Sequence, residues 1–452
     1  MPPGRWRGGE QAGRQGAGGR AADGSGILSG SSLDGAMAAG VSGRTLKDDA
    51  EHSQFSGGPG IVRRAGSIAG ESRLIVAVFA VLGVFAWQAA FVEFKFGGNW
   101  TALFLSGDQF PLPPSLAGDG VYRFPGSHGY DGQFYHFIAH DPLLLTDAVN
   151  YVDSPELRWR RILVPGLAHI LALGQPGWID SAYVAVALAA IFLGVYWLAG
   201  FSRLHDLPAY FGLAFLAVPA VLVAIERMTV DVALAALAVG FIYYGREGPM
   251  WAFYTMLMLA PLARETGLGF TLAAVAFSVH GRKWPRAGLE MATALPFAAW
   301  ALYVQGHTPD QAHDWGTLIP LSGLFTRSIR PIDWEGAKAV VHAATLDAIA
   351  LAGFWVALLL LAVVLRRRPL TLLHAAIGVF AGFTAFLGAP SVWEESIAFA
   401  RVLSPLIVWL AMFGIAYRSW LMVLPLALGS TRTIDEIFHR TMETLLAFRT
   451  QL

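Results

Sequence analysis

Long apolar runs separated by short polar segments dominate the chain after residue 70. The first run, Leu74 to Phe94, holds about 20 residues, which is the length of one bilayer crossing. Further apolar runs follow at 179–200, 207–224, 229–245, 249–279, 287–304, 341–365, 370–388 and 401–417. We therefore predict an all-α polytopic transmembrane helical bundle of about ten spans, occupying residues 71–428.

Two apolar segments allow more than one topology. The segment Ile162 to Gly174 is short and interrupted by Pro165, which favours a helix lying along the membrane surface. The run 249–279 would measure about 46 Å as one helix, well beyond a hydrocarbon core of about 30 Å. We therefore predict two short helices, separated near Pro261 to Gly267. The alternative is a true span at 162 with one long tilted helix at 249, and it leaves the orientation of the chain after residue 279 unchanged.

Basic residues predict which ends of the spans face the cytoplasm. Arg63, Arg64 and Arg73 precede the first span, and basic loops lie at 282–286 and 366–368. Because Lys and Arg are enriched in cytoplasmic loops, residues 95–178 should form a large first extracytoplasmic loop. If the run 249–279 is split, the turns at 226–231 and 264–265 lie on this same outer side. With one long helix, residues 226–231 move to the cytoplasmic side.

Composition fits a membrane protein and excludes several other classes. Of 452 residues, 55% are hydrophobic and only 14% are charged, which is more apolar than a soluble core requires. The formal net charge is zero, so no overall positive field indicates a nucleic acid partner. The chain has no cysteine, which excludes disulfides, thiolate metal sites and cysteine nucleophiles.

The two ends of the chain differ from its apolar middle. Residues 1–70 are rich in Gly, Ser, Ala and Arg without apolar periodicity, so we predict a disordered N-terminal tail. Residues 429–452 contain the amphipathic stretch TIDEIFHRTMETLLAFR, which predicts a helix on the membrane surface.

The first loop contains the polar stretch YDGQFY at 130–135, followed by Asp141-Pro142. Asp131 could act as a general base, since a carboxylate at the water boundary stays ionised and can reach a bound hydroxyl. It could instead cap the helix-like run that follows it. Asp141 is either a second acid near a diphosphate or a metal, or the start of an Asp-Pro turn.

An acidic residue in the first outer loop of a polytopic chain resembles the GT-C superfamily of integral membrane glycosyltransferases. The YDGQFY stretch is most similar to bacterial cell-surface glycopolymer proteins that carry a signature of this type. The resemblance implies an inverting glycosyltransferase in the bacterial inner membrane, with an extracytoplasmic active site and Asp131 as its catalytic base. The implied partners are a polyprenyl-phosphate sugar donor, a cell-surface glycan or lipid acceptor, and membrane lipids.

Side chains near Asp131 in the motif are candidate substrate contacts. Tyr130, Gln133 and Tyr135 are the candidates, although the aromatic spacing also fits packing of a short helix against the membrane domain.

Arginine suits a phosphate leaving group, because its planar guanidinium matches phosphate oxygens and stabilises developing negative charge. The candidates are Arg160, Arg161, Arg264 and Arg401. Arg264 and the adjacent Glu265 interrupt an apolar run, where charges are costly unless they face a polar cavity. Headgroup anchoring is the alternative role of Arg160 and Arg161.

Two further acids flank a turn between apolar runs. Glu226 and Asp231 are candidates for substrate binding, and pairing with Arg227 is their structural alternative.

No residue pattern demands a cofactor. The twelve histidines show no HExxH or other compact ligand pattern, so a histidine-built metal centre is not expected and no metal ligand is assigned. The family resemblance allows a divalent metal ion. Two other functions stay open: a transporter or flippase for a lipid-linked glycopolymer, and a non-catalytic assembly subunit. A transporter would need a continuous polar route between the two faces.

Overall fold

Helices make up almost all of the fold. The computed structural model describes residues 59–309, 316–330, 337–393 and 396–451. The α-helices in this part of the chain are α1 (Pro59–Phe96), α2 (Asp131–His140), α3 (Pro155–Arg160), α4 (Leu163–Leu171), α5 (Pro176–Leu204), α6 (Pro219–Arg227), α7 (Asp231–Arg246), α8 (Met250–Ala263), α9 (Leu268–His280), α10 (Trp284–Ala292), α11 (Leu295–His307), α12 (Ser322–Ile329), α13 (Ala337–Arg366), α14 (Leu372–Phe386), α15 (Pro390–Trp393), α16 (Ser396–Val402), α17 (Ser404–Tyr417), α18 (Leu424–Gly429) and α19 (Thr431–Gln451).

Short 3-10 helices and two very short strands connect these helices. The 3-10 helices are Trp100–Phe104, Pro114–Leu116, Asp147–Tyr151, Ala209–Ala217, Glu265–Gly267 and Trp420–Val423. Strands β1 (Ser106–Gly107) and β2 (Arg123–Phe124) pair in parallel within the loop between α1 and α5. The prediction of a mostly helical chain is confirmed.

Several helices are long and apolar enough to cross a membrane, as expected of a membrane protein. In the described residues these are Ser72–Phe96, Pro176–Leu204, Trp284–His307 and Val341–Arg366. A fifth span is formed if Ala209–Ala217 and Pro219–Arg227 count as one, although they are bent by 65°. Other apolar helices have 10 to 17 residues, short of the roughly 20 that a straight crossing needs. Helix length therefore supports four or five spans, fewer than the predicted ten.

The two segments of ambiguous topology form short helices. α4 has nine residues and is therefore about 14 Å long, which is too short to cross a bilayer. The run 249–279 breaks after Ala263, and α9 begins at Leu268. The structure thus has the two short helices that we preferred, and not one long tilted helix.

The ends of the described chain differ in part from the sequence prediction. α1 begins at Pro59 and so extends into the segment predicted to be disordered, whose residues 1–58 lie outside the described residues. The amphipathic C-terminal segment is helical, as α19, and it packs along α1 through a hydrogen bond of 2.9 Å from Trp87 Nε1 to Thr441 Oγ1. Ion pairing between Lys95 and Glu443, at 3.2 Å, joins the same two helices.

The centre of the bundle is apolar. The segment Val232–Ile242 of α7 is buried along its whole length. Around it, Phe241 stacks on Phe253 and Phe270, with ring centroids 5.5 and 5.3 Å apart. Trp409 of α17 packs edge-on to Phe270 and donates a hydrogen bond of 2.9 Å from its Nε1 to the Ala238 carbonyl. Aromatic rings therefore fill the middle of the bundle around α7.

The motif helix α2 is held against the end of α6 by a close backbone approach. A Cβ added to Gly132 would lie 2.1 Å from the Arg227 carbonyl oxygen and 2.9 Å from the Phe104 carbonyl oxygen. Both neighbours are backbone atoms that cannot rotate away. Only glycine fits this contact. The contact fixes where the first turn of α2, with Asp131, meets the membrane domain.

Gly132→Ala is expected to lower the free energy of unfolding by about 1–3 kcal/mol, because the added methyl group must push α2 away from α6. Thermal unfolding in detergent measures this change. Gly83→Ala is the matched control, since Gly83 is a helical glycine with no atom within 4 Å of its added Cβ. Equal stability of the two variants would contradict the close packing of α2.

Candidate functional site

Asp131 is the first residue of α2 and lies between two arginines from different parts of the chain. Arg158 Nη2 is 2.9 Å from Asp131 Oδ1, and Arg401 Nη2 donates to Asp131 Oδ2 at 2.6 Å. The N-cap residue of α2 is Tyr130, without a side-chain capping bond. The alternative prediction, that Asp131 caps the helix, is therefore wrong, and its carboxylate serves the charged cluster instead.

The arginines determine the ionisation of this carboxylate. Burial alone would raise the pKa of Asp131, but Arg158 and Arg401 outweigh burial and hold that pKa well below its usual range. The Asp131 side chain, 18% exposed, is thus a carboxylate throughout the physiological pH range. Such a group is a weak base while both arginines remain in contact with it.

Arg401 extends the cluster from Asp131 to the start of α7 and the end of α8. Its Nε lies 3.4 Å from Asp231 Oδ2, and Asp231 is also paired with Arg264. Asp231 begins α7, and Arg264 directly follows α8, so the break between α8 and α9 points at the first turn of α7. The side chains of Asp231 and Arg264 are 2% and 3% exposed, so this is a buried ion pair.

A second branch joins the same break to the first loop. Arg161 makes two hydrogen bonds to Glu265, from Nε to Oε2 at 2.8 Å and from Nη2 to Oε1 at 2.7 Å. Its Nη1 donates to Tyr135 Oη at 3.0 Å. Tyr135 lies one helical turn after Asp131, on the same side of α2. The turn at 264–265 and the motif helix are therefore linked at both Asp131 and Tyr135.

The arginines of the cluster include a hydrogen-bond donor without an acceptor. Four buried arginines, Arg158, Arg161, Arg264 and Arg401, face three acids, Asp131, Asp231 and Glu265. Asp153, at the edge with 34% of its side chain exposed, also pairs with Arg158. Arg401 Nη1 is buried, with no hydrogen-bond acceptor among the described residues. Guanidinium donors buried without acceptors are costly, and a bound anion would satisfy them.

Other residues of the motif have mainly structural contacts. Gln133 Oε1 accepts from the Gly107 amide at 3.1 Å, and its Nε2 donates to the His128 carbonyl at 2.8 Å, so Gln133 ties the loop to α2. The Tyr130 ring lies under the guanidinium groups of Arg227 and Arg401, 4.5 and 5.3 Å from their carbons.

Asp141 organises a turn away from the cluster. Its Oδ1 accepts from the Leu145 amide at 2.8 Å, and its Oδ2 accepts from the amide and the hydroxyl of Thr146 at 2.9 and 2.7 Å. These contacts agree with the alternative prediction that Asp141 starts a turn.

Two further predicted site residues lie outside the cluster. Arg160 pairs with Glu156 one turn earlier in α3, and 28% of its side chain is exposed. Glu226 Oε1 accepts from Arg440 Nε of α19 at 2.9 Å. The end of α6 nevertheless touches the motif through Arg227 and Gly132, so the turns at 226–231 and 264–265 both meet α2.

Two features of the site were missed from the sequence. Arg158 was not selected, although it stands three residues before Arg161 and the two therefore share a face of one helical turn. His136, His140 and Asp180 also converge, with one ligand atom of each within 4.8 Å of the others. The spacing of the two histidines, four residues apart on a predicted helix, was the available signal.

Comparisons with protein-family models, with curated proteins and with solved structures found no match for this chain. Its function is therefore argued from the site itself.

Proposed function

We propose that this protein is an inverting membrane glycosyltransferase with a GT-C-like fold. It would transfer a sugar from a polyprenyl-phosphate donor to a cell-surface glycan or lipid acceptor, on the extracytoplasmic face of the bacterial inner membrane. The observation that carries the proposal is a buried arginine cluster around one carboxylate, Asp131, next to an apolar groove that opens between two short apolar helices.

The groove runs between α9 and α14 and begins at the charged cluster. Its volume is about 610 Å³, within the usual range of ligand sites. It is lined by Glu265, Thr266, Leu268, Gly269, Leu272, Gly378, Val379, Phe380, Gly382, Phe383 and Phe386. Glu265 belongs to both features, because it is paired with Arg161 in the cluster. Because the groove adjoins the charged cluster, a ligand with a charged head and a long apolar chain fits the two together. A polyprenyl phosphate has that chemistry.

The cluster supplies the groups that sugar transfer needs. The donor phosphate would compete with Asp131 for Arg158 and Arg401, as a phosphate is a strong bidentate partner for guanidinium. Loss of those contacts would raise the basicity of Asp131 when the donor binds. Asp131 would then accept the proton of the acceptor hydroxyl while the oxygen of that hydroxyl bonds to the anomeric carbon. The bond from that carbon to the phosphate oxygen breaks, and the phosphate leaves with the electron pair, held by the arginines. A single displacement of this kind inverts the anomeric carbon.

The packing of the bundle disfavours the transporter alternative. A flippase for a lipid-linked glycan needs a polar route from one face to the other. In the described part of the chain, the aromatic rings of Phe241, Phe270 and Trp409 pack against one another beyond the charged cluster. Residues 232–242 of α7 are buried and almost entirely apolar. This arrangement supports a one-sided site.

Gly382→Phe is expected to weaken donor binding while leaving the fold intact, because its ring would occupy the groove. An added Cβ at Gly382 meets no atom within 4 Å, so the position has open space. The measurement is sugar transfer from a polyprenyl-phosphate sugar by the purified protein, with donor binding followed separately. We expect at least a tenfold rise in the donor KM.

Gly83→Phe is the matched control, since Gly83 also lies in a helix with open space around it but belongs to α1. It should leave transfer unchanged. Equal donor KM values for the two variants would remove the groove from the proposed site. Transport of an intact lipid-linked glycan by the wild-type protein, without sugar transfer, would favour the flippase.

A further inference from the structure

A second polar cluster lies on another side of α2 and joins this helix to α5. His136 and His140 are four residues apart, so both rings project from one side of the helix. Asp180 is in the second turn of α5. The ring centroids of the two histidines are 4.9 Å apart. Two imidazoles and one carboxylate therefore meet where the first loop packs onto a membrane-spanning helix.

The distances within this cluster are close to those of a coordination sphere. His136 Nε2 is 2.7 Å from Asp180 Oδ1, and His140 Nε2 is 3.8 Å from the same oxygen. Ligand atoms bound about 2.0–2.1 Å from a tetrahedral zinc ion are about 3.3 Å apart. The two observed distances lie on either side of that value. All three ligand atoms lie within 4.8 Å of one another, so side-chain shifts of about 1 Å would place them around one ion.

His140 provides an independent indication that the cluster binds a ligand. Its side chain is 9% exposed, and its Nε2 is buried, with no hydrogen-bond partner in the part of the chain that the structure describes. At 3.8 Å this nitrogen is too far from Asp180 Oδ1 for a hydrogen bond. A hydrogen-bonded pair of His136 and Asp180 explains two of the three groups but leaves the third unsatisfied. A metal ion would coordinate one ligand atom from each of the three side chains.

We propose that His136, His140 and Asp180 form a binding site for a first-row transition metal ion of the zinc type. Two neutral imidazole nitrogens and one carboxylate oxygen are the ligand set that such ions accept, and water would complete the coordination. Asp180 is 31% exposed, which gives that water access. The ion would fasten α2 to α5, with His136 about 8 Å along the helix axis from Asp131. The three ligands are thus positioning residues for α2. Metal binding at this site does not depend on the sugar-transfer reaction.

The test measures zinc binding by the purified full chain in detergent. After equilibration with Zn²⁺ and removal of free metal, the wild-type protein should retain about one zinc per chain by elemental analysis. Zinc should raise its melting temperature by several degrees, and a chelator should reverse that rise, because an ion that binds only the folded state stabilises it.

His140→Gln is the informative variant, because His140 makes no side-chain hydrogen bond in the described residues that its loss would break. It should reduce retained zinc at least tenfold and abolish the thermal shift, while its metal-free melting temperature stays close to that of the metal-free wild type. Asp180→Asn should also lose zinc. His307→Gln is the control, since His307 is exposed at the end of α11 and should leave zinc binding intact. Retention of less than a tenth of an equivalent by the wild type would overturn the proposal, and so would equal zinc contents in wild type and His140→Gln.

Discussion

Asp131→Asn is expected to lower the rate of sugar transfer by about 100-fold or more, because the proposed general base is lost while the acceptor site is kept. The substitution is nearly isosteric. It removes the negative charge that faces Arg158 and Arg401, whose side chains are 9% and 6% exposed. Arg158 keeps its two hydrogen bonds to Asp153, and Arg401 keeps Asp231 at 3.4 Å. The variant should therefore still fold, with a loss of about 1–3 kcal/mol in the free energy of unfolding.

That stability loss requires a matched control from the same loop. Asp141→Asn also changes a buried aspartate, and it removes part of the acceptor set for Leu145 and Thr146. It should lower the melting temperature but keep turnover within a few-fold of wild type, since Asp141 lies outside the charged cluster. Turnover by purified protein and thermal unfolding are measured for both variants. Near-normal transfer by folded Asp131→Asn would exclude Asp131 as the base. A well-folded variant that still supports glycopolymer assembly would favour the non-catalytic subunit.

Local signals predicted much of the fold. The charged residues at 264–265 and the excessive length of the run 249–279 indicated a break, and α8 does end at Ala263. The proline and the short length of the 162–174 segment predicted a short helix, which is α4. The prediction of about ten spans is not confirmed, because apolar composition does not reveal whether a helix reaches the roughly 20 residues of a full crossing. The described helix of 15 residues at Leu372–Phe386 is one such case.

The candidate site was predicted by residue type and not by contact. Arg161, Arg264 and Arg401 are predicted because a guanidinium suits a leaving phosphate. Asp231 and Glu265 are predicted because charges in apolar surroundings need partners. The structure brings these residues together. Their pairing could not be derived, since Arg401 and Asp131 are 270 residues apart in the chain. Glu226 satisfied the same criterion but meets Arg440 of the C-terminal helix. Sequence could not distinguish these cases, because α19 had been expected on the membrane surface and not beside α6.

Arg264→Gln is expected to destabilise the protein by about 3–5 kcal/mol, because it leaves Asp231 as a buried charge without its main partner. The Asp231 carboxylate is 2% exposed, so water cannot replace the lost guanidinium. Arg401 remains 3.4 Å away but is shared with Asp131. Unfolding in detergent measures the loss. Arg160→Gln is the control, since the Arg160 side chain is 28% exposed and its pair with Glu156 should contribute about 1 kcal/mol or less.

The double variant Asp231→Asn with Arg264→Gln separates stability from function. Removing both charges eliminates the unpaired buried carboxylate, so the double variant should be more stable than Arg264→Gln by about 1–3 kcal/mol. Its sugar transfer should stay low, because the leaving phosphate has lost one guanidinium that stabilises its charge. A double variant no more stable than Arg264→Gln would contradict the explanation of that loss by an unpaired Asp231 carboxylate. Recovery of transfer together with stability would show that Arg264 serves the fold and not the phosphate.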